Sequence, residues 1–571
     1  MMKNRFSGII LLLSILCFMA SSLQAKTAPN FIIFYVDDMS WYQTSFRMMD
    51  SEPESKHPFF ETPHLEKLSK RGMRFSNGYS PAPTCTPSRV SIQFGQTPAR
   101  TQYRFVHDIY AHEQRPNGYA DEVTMGAMLK KANLNYKTAH FGKGAGSLVG
   151  KLNKLGYDVT DEYEKYGPNG NGHGDYQVVI GDRKKLPEDD PKRIYSLTKD
   201  AVKFINDHAG QQPFFMMVSH YACHSRKNAL ASDIDRFQKK YDALPNKPED
   251  KVELKQYFER ERDPTFAAMV NETDWSLGEM MKAVEAKGEL DNTYIIFTAD
   301  NGAEWVPFNK QKRRQSGPLQ MGKYHAFEGG IRVPFVIAGP NVLKGAQCDV
   351  PVIQWDLLPT LHDLSGSKAP LNDKVDGGSL RDVLERGNDG KVTRKTPGSG
   401  LVFHFPSYYQ IPVSVLRVGD YKFMRNMNSG ETLLYNVATD YREKNDLSKA
   451  MPEKTSQMEK DLLDYIHKVN GADVQDIYGA YFRWIDNEEN KYTKSYHKKV
   501  ADLEAVNPAD LDHKKAALLA QHEQKLRSCM VKREICKEQM KNKSWYEVIK
   551  NEVCIRLGID KQGRYLKSKN E

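Results

Sequence analysis

The chain has 571 residues, 39% of them hydrophobic and 27% charged, with a formal net charge of +9. That length exceeds what one ordinary core accommodates, so a soluble globular protein of two or three domains is expected. Cys85, Cys223, Cys348, Cys529, Cys536 and Cys554 are scattered without metal-binding pairs, which disfavours zinc. Cys529 and Cys536 stand seven residues apart, two turns of an unbroken helix, so Cys554 is the partner either could reach. The positive balance is compatible with a polyanionic partner.

Lys3 and Arg5 precede an apolar run from Ile9 to Ala20, and Ser21 to Ala25 offers a cleavage site. Residues 1–25 therefore read as an export signal, and the mature chain is expected to carry no membrane span. Cys17 follows Leu16, where a lipoprotein site would want a small residue, so lipidation is not expected. Phe31 to Val36 is a continuous apolar run of the kind found in a strand covered on both faces, and it stops at Asp37-Asp38. Inside a strand two adjacent carboxylates point apart; at its carboxyl end, where the backbone turns, both can converge on one cation. Pro81 and Pro83 then stiffen the approach to Cys85-Thr86-Pro87-Ser88-Arg89, and Pro87 suits the first turn of a helix running to Phe94. Cys85 would thus sit at a helix amino end, where free backbone N–H groups favour a sulfate or phosphate ester.

Tyr136 to Phe141 reads as a second strand, ending at Gly142-Lys143-Gly144; the spacing of a nucleotide P-loop is absent, but an ammonium is set at a strand end. Gly167 to Gly174 reads as a loop. Phe214 to Ser219 is a third buried strand, followed by His220 and His224, and Tyr294 to Ala299 a fourth, followed by Asp300-Asn301-Gly302. A doubly wound sheet collects its site along one edge, so these strand ends are expected to meet. Oxygen ligands from Asp37, Asp38, Asp300 and Asn301 suit a hard cation, calcium in preference to magnesium. Lys323 precedes Phe327-Glu328-Gly329-Gly330, a turn into another apolar strand through Ile337.

From Lys391 to Gly400 the composition turns polar, which marks a domain boundary. Beyond it Leu401 to Phe405, Val413 to Val418, Tyr421 to Arg425 and Thr432 to Asn436 read as antiparallel strands, with a hairpin turn at Gly419-Asp420. A helix carrying Met458, Leu462, Ile466 and Val469 on one face follows as core packing, and the Lys-rich remainder reads as a helical appendage. The expected units are 1–25, 26–395, 396–485 and 486–571.

The pentapeptide at Cys85 matches the Cys-x-Pro-Ser-Arg signature of the type I sulfatases, and the order of motifs resembles that family from about Asn30 to Leu447. The resemblance implies an alkaline-phosphatase-like α/β sandwich: a large, mostly parallel central sheet flanked by helices, plus a smaller C-terminal α+β subdomain with an antiparallel sheet. It implies that Cys85 is oxidised to formylglycine by a maturation enzyme, that the hydrate of this aldehyde is the nucleophile, and that Arg89 fixes it. By the same resemblance Asp37, Asp38, Asp300, Asn301 and the modified Cys85 hold calcium, and Asp300 helps deprotonate the nucleophile. Lys143 and Lys323 hold the sulfate, and His224 serves as acid. His220 and His404 are expected at the substrate. One position departs from the pattern: Ala145 stands where the family has a histidine that helps release sulfate, and His140 or His173 are the candidates to replace it. The implied reaction is removal of sulfate from a carbohydrate, with ulvan or carrageenan as the leading substrates, by a periplasmic or secreted enzyme without a nucleic-acid partner. The rivals are a phosphate or phosphonate ester hydrolase of the same superfamily and a sulfated-glycan binding protein without turnover.

Overall fold

The computed structural model describes residues 28–104, 108–115, 118–119, 121–144, 152–161, 176–179, 182–224, 227–244, 263–304, 316–406, 412–504 and 511–540. Residues 1–25, read above as an export signal, and Ala145, His173, Gly167 to Gly174 and Cys554 lie outside them.

The apolar runs become the middle of an eight-stranded sheet. Its strands are β1 (Asn30–Val36), β2 (Met73–Phe75), β3 (Lys137–Gly142), β4 (Val159–Thr160), β5 (Phe214–Ser219), β6 (Thr293–Ala299), β7 (Phe335–Ala338) and β8 (Ala346–Cys348). They lie in the order β8-β2-β7-β6-β1-β5-β3-β4. From β6 to β4 all pairs are parallel, and β7 runs antiparallel to both β6 and β2. The pleat explains why these strands are apolar throughout. Ile32, Phe34 and Val36 join Met216, Val218 and Phe297 in one core, while Phe31, Ile33 and Tyr35 join Phe215, Met217 and Ile296 in another on the opposite face. Helices Ile194–His208 and Pro264–Ala286 supply side chains to the first core, and helices Cys85–Phe94, Met125–Lys131 and Leu357–Leu364 to the second.

Within the first layer, the buried Asp274 of helix Pro264–Ala286 accepts the N–H groups of His64 and Leu65, at 2.9 and 2.8 Å, at the start of helix Pro63–Arg71. Burial pushes its carboxyl up to about 7. Between about pH 4 and pH 7 the folded protein holds a proton that the unfolded chain has lost, so this group's contribution to stability falls as pH rises, by up to about 1.4 kcal/mol per pH unit. Asp274→Asn should flatten that slope in denaturant titrations across the same pH range; an unchanged slope would show that the proton is not held there.

The polar stretch at 391–400 is tied to the body: Arg394 donates to both carboxylate oxygens of the buried Asp356, Nε to Oδ1 at 2.9 Å and Nη2 to Oδ2 at 2.7 Å. A second, four-stranded antiparallel sheet follows, β9 (Leu401–Phe405), β10 (Val413–Val418), β11 (Tyr421–Asn426) and β12 (Thr432–Asn436). Helix Pro452–Lys468 packs on it through Met458, Leu462 and Ile466. The same apolar cluster contains Tyr79, Phe327, Ile331 and Trp355 of the large domain. Residues 474–504 form one helix, Val474–Glu504, which crosses position 486 without a break and pairs with helix Leu511–Met540. Cys529 and Cys536 share that second helix, and among the described residues the buried Cys529 has no disulfide partner.

Candidate active site

The carboxyl ends of β1, β3, β5 and β6 converge, as a parallel sheet requires of its functional edge. Where β1 stops, Asp38 adopts a φ of 58°, a left-handed turn that lets Asp37 and Asp38 face the same space. Asp300 follows β6 and binds in two directions: Oδ1 accepts the Asp38 N–H at 3.1 Å and Oδ2 accepts Arg89 Nε at 2.7 Å. Arg89 comes from helix Cys85–Phe94, which begins at the cysteine itself. Its Nη1 donates to the Lys143 carbonyl at 3.1 Å and to Ser219 Oγ at the end of β5. Ser219 was not anticipated, and the only signal for it in the sequence is that it is the last residue of an apolar strand.

The lysines complete the ring. Lys143 Nζ lies 2.5 Å from Asp37 Oδ2, and Lys323 Nζ 2.6 Å from Asp38 Oδ2. Asn301 Nδ2 donates to Asp38 Oδ1 at 2.7 Å, and His224 Nε2 stands 3.8 Å from Asp38 Oδ2. Cys85 Sγ joins them: ligand atoms of Asp37, Cys85 and Asp300 lie within 4.8 Å of one another, and so do those of Asp37, Asp38 and His224. All these side chains are buried except His224, which is 21% exposed.

The loop bearing Lys323 is held by the glycines that follow it. The Lys323 N–H donates to Ala303 O at 2.8 Å, and the Gly329 N–H to Gln320 O at 2.9 Å. A Cβ on Gly329 would stand 2.3 Å from Met321 O, and one on Gly330 1.9 Å from His325 O, so neither position admits a side chain. Glu328, between Phe327 and these glycines, is a second unanticipated anchor. It accepts Tyr79 Oη at 2.6 Å and Lys422 Nζ of β11 at 2.9 Å, and the same lysine reaches Glu443 at 2.7 Å.

Electrostatics divides the carboxylates. Burial alone would raise Asp37, but Lys143, then His224, Arg89 and Lys323, hold it well below the usual range. Burial and the neighbouring Asp37 push Asp300 up. Burial and Lys323 hold the His224 imidazole well below its ordinary value. The donor set suits a hard divalent cation: Asp37 Oδ1 and Asn301 Oδ1 are buried oxygens that receive no hydrogen bond, next to the carboxylates of Asp38 and Asp300. Arg89, Lys143 and Lys323 balance Asp37, Asp38 and Asp300, so one divalent ion would leave the site positive, as an anionic ester requires.

Two expected substrate histidines are placed elsewhere. His220 is fully buried; the pleat turns it away from Ser219, toward Ser276 Oγ at 3.1 Å and the Phe34 ring at 4.8 Å. His404 is an interior residue of β9, with Ser414 Oγ at 2.8 Å and the Ala472 carbonyl at 3.2 Å. Burial pushes both imidazoles down to about 3. Neither joins the cluster, and both are corrected to core residues. His140 is also buried, edge-on to Tyr157 at 5.5 Å.

The sulfatase family model matches residues 29–367, more than half of the chain. A sulfatase of Formosa agariphila is 27% identical over 538 residues, covering 80% of this chain and 92% of its own. An ulvan-active sulfatase of the same organism is 26% identical, covering 69% of this chain and 73% of its own. The crystal structure of Ps i-CgsB in complex with k-i-k-neocarrahexaose superposes with a TM-score of 0.60 at 22% identity, over 77% of this chain and 93% of that one, and so shares its fold. The chain belongs to the sulfatase family and is a sulfuric ester hydrolase.

Proposed function

We propose that the enzyme removes sulfate from a sulfated polysaccharide or its oligosaccharides, with Cys85, oxidised to formylglycine by a maturation enzyme, as the source of the nucleophile. The observation that carries this reading is the meeting of Cys85 with Asp37, Asp300, Arg89, Lys143 and Lys323 at one buried point. In this reading Arg89 fixes the modified residue and Asp300, while Lys143 and Lys323 draw charge from the sulfate oxygens. His224, the partly exposed member of the cluster, would protonate the departing sugar oxygen once the negative charge of the bound ester offsets the burial and the Lys323 charge that hold the free imidazole down, a role that contributes about 10² to 10⁴ in rate. Asp37, Asp38, Asp300 and Asn301 would hold calcium, which when bound polarises the ester and the nucleophile. The ulvan-active relative and the neocarrahexaose-bound neighbour support a polymer of that type. Residues 1–25 would direct the chain to the periplasm or beyond. Among the described residues no helix is long and apolar enough to cross a membrane.

The test is the mass of the peptide containing Cys85 after coexpression with a maturation enzyme, followed by sulfate release from ulvan and carrageenan oligosaccharides and phosphate release from matched phosphate esters. Aldehyde in place of thiol and a preference for sulfate are expected; an unmodified thiol in an active enzyme, or a preference for phosphate, would refute the proposal. Calcium has its own readout. Dialysis against a chelator should lower the thermal midpoint and added calcium restore it, since a ligand at a hundredfold its Kd stabilises by about 2.7 kcal/mol. An unmoved midpoint would remove calcium from the account.

A further inference from the structure

Among the described residues of the site, burial is uneven. Asp37, Asp38, Arg89, Lys143, Asp300, Asn301 and Lys323 are all buried, whereas His224 and Tyr324 reach partly into solvent. Tyr324 does so at a φ of 77°, a backbone region that bulky side chains avoid and glycine enters freely. Two hydrogen bonds hold the chain there: the Tyr324 N–H donates to Pro83 O at 2.7 Å, just before Cys85, and the Lys323 N–H donates to Ala303 O, just after Asn301. The ring centroid lies 5.6 Å from Lys323 Nζ, which itself touches Asp38. Tyr324 packs in part against the apolar cluster of the second sheet and is in part exposed, and a strained aromatic residue pinned between the segments that carry Cys85 and Asn301 is the pattern of a functional constraint.

We propose that Tyr324 is a specificity-determining residue: its ring is the platform on which the sugar that carries the sulfate stacks while Lys323 holds the anion. The proposal rests on the sulfated-saccharide reading above. A pyranose presents C–H groups on its flat faces, and the electron-rich face of a phenol ring attracts them. An anion at Lys323 Nζ leaves its carrier beside this ring and not against the buried wall of carboxylates, so the platform selects cyclic over open-chain sulfate esters.

The experiment uses full-length matured protein as wild type, Tyr324→Phe, Tyr324→Ala and Tyr324→Gly, assayed by sulfate release from ulvan and carrageenan oligosaccharides, with inorganic sulfate as competitive inhibitor. Alanine and glycine should raise KM for the saccharide about tenfold, with kcat and the inhibition constant for sulfate changing much less, and phenylalanine should restore most of the loss. Unchanged KM in the alanine and glycine variants would overturn the proposal. A loss confined to kcat, or an equal loss of sulfate affinity, would do the same by showing that Tyr324 merely positions Lys323. A wild type that releases no sulfate from any saccharide would instead overturn the underlying reading, and this inference with it.

Discussion

Cys85→Ala protein should release sulfate about 10⁴ to 10⁶ times more slowly than the matured enzyme and still fold. The side chain is 5% exposed at the first position of helix Cys85–Phe94, and alanine favours that conformation, so the truncation removes the reacting group at small structural cost. Arg89, Lys143 and Lys323 remain in place, and the variant should therefore bind a sulfated oligosaccharide without turning it over. Ion chromatography of released sulfate and calorimetry of oligosaccharide binding separate the two properties. A residual rate within tenfold of the matured enzyme would mean that another group attacks sulfur.

Lys323→Met should lower kcat/KM about 10²- to 10³-fold if, as proposed, its ammonium is one of the fixed cations that hold the sulfate during sulfur–oxygen cleavage. It also strips Asp38 of its 2.6 Å partner, and breaking a buried pair from one side costs about 3–5 kcal/mol. Lys323→Arg distinguishes the two effects: it restores charge but brings a planar fork where a compact ammonium fits, so stability should recover more than activity. The rate is read at saturating calcium together with the thermal midpoint. Full activity in Lys323→Met would exclude this lysine from the reaction.

The parts legible in the sequence were those with a backbone signature. Continuous apolar strands and their polar ends located Asp37, Asp38, Asp300 and Lys143, because a parallel sheet fixes where such ends point. Cys85 and Arg89 were legible from their pentapeptide, and the four strands from Leu401 to Asn436 from alternation and a turn. His220, expected from its place after a strand of the site, and His404, expected from its aromatic run, both lie inside the core, because neither signal says which way a side chain faces; one faces Ser276 and the other Ser414. Glu328, Lys422 and Glu443 were illegible for a different reason. Their pairing spans 94 and 21 residues, and a charge buried only by tertiary contact looks like a surface charge in one dimension.

The central place of β1 also bears on the order of events during synthesis. Its two neighbours, β5 and β6, begin at Phe214 and Thr293, so the first strand made waits for chain far downstream before its flanks are paired. The layer over that sheet leaves Cys85 almost wholly enclosed. The oxidation proposed for Cys85 would therefore reach it more readily on the nascent or unfolded polypeptide, and a variant that folds faster is expected to emerge with more of its thiol unmodified.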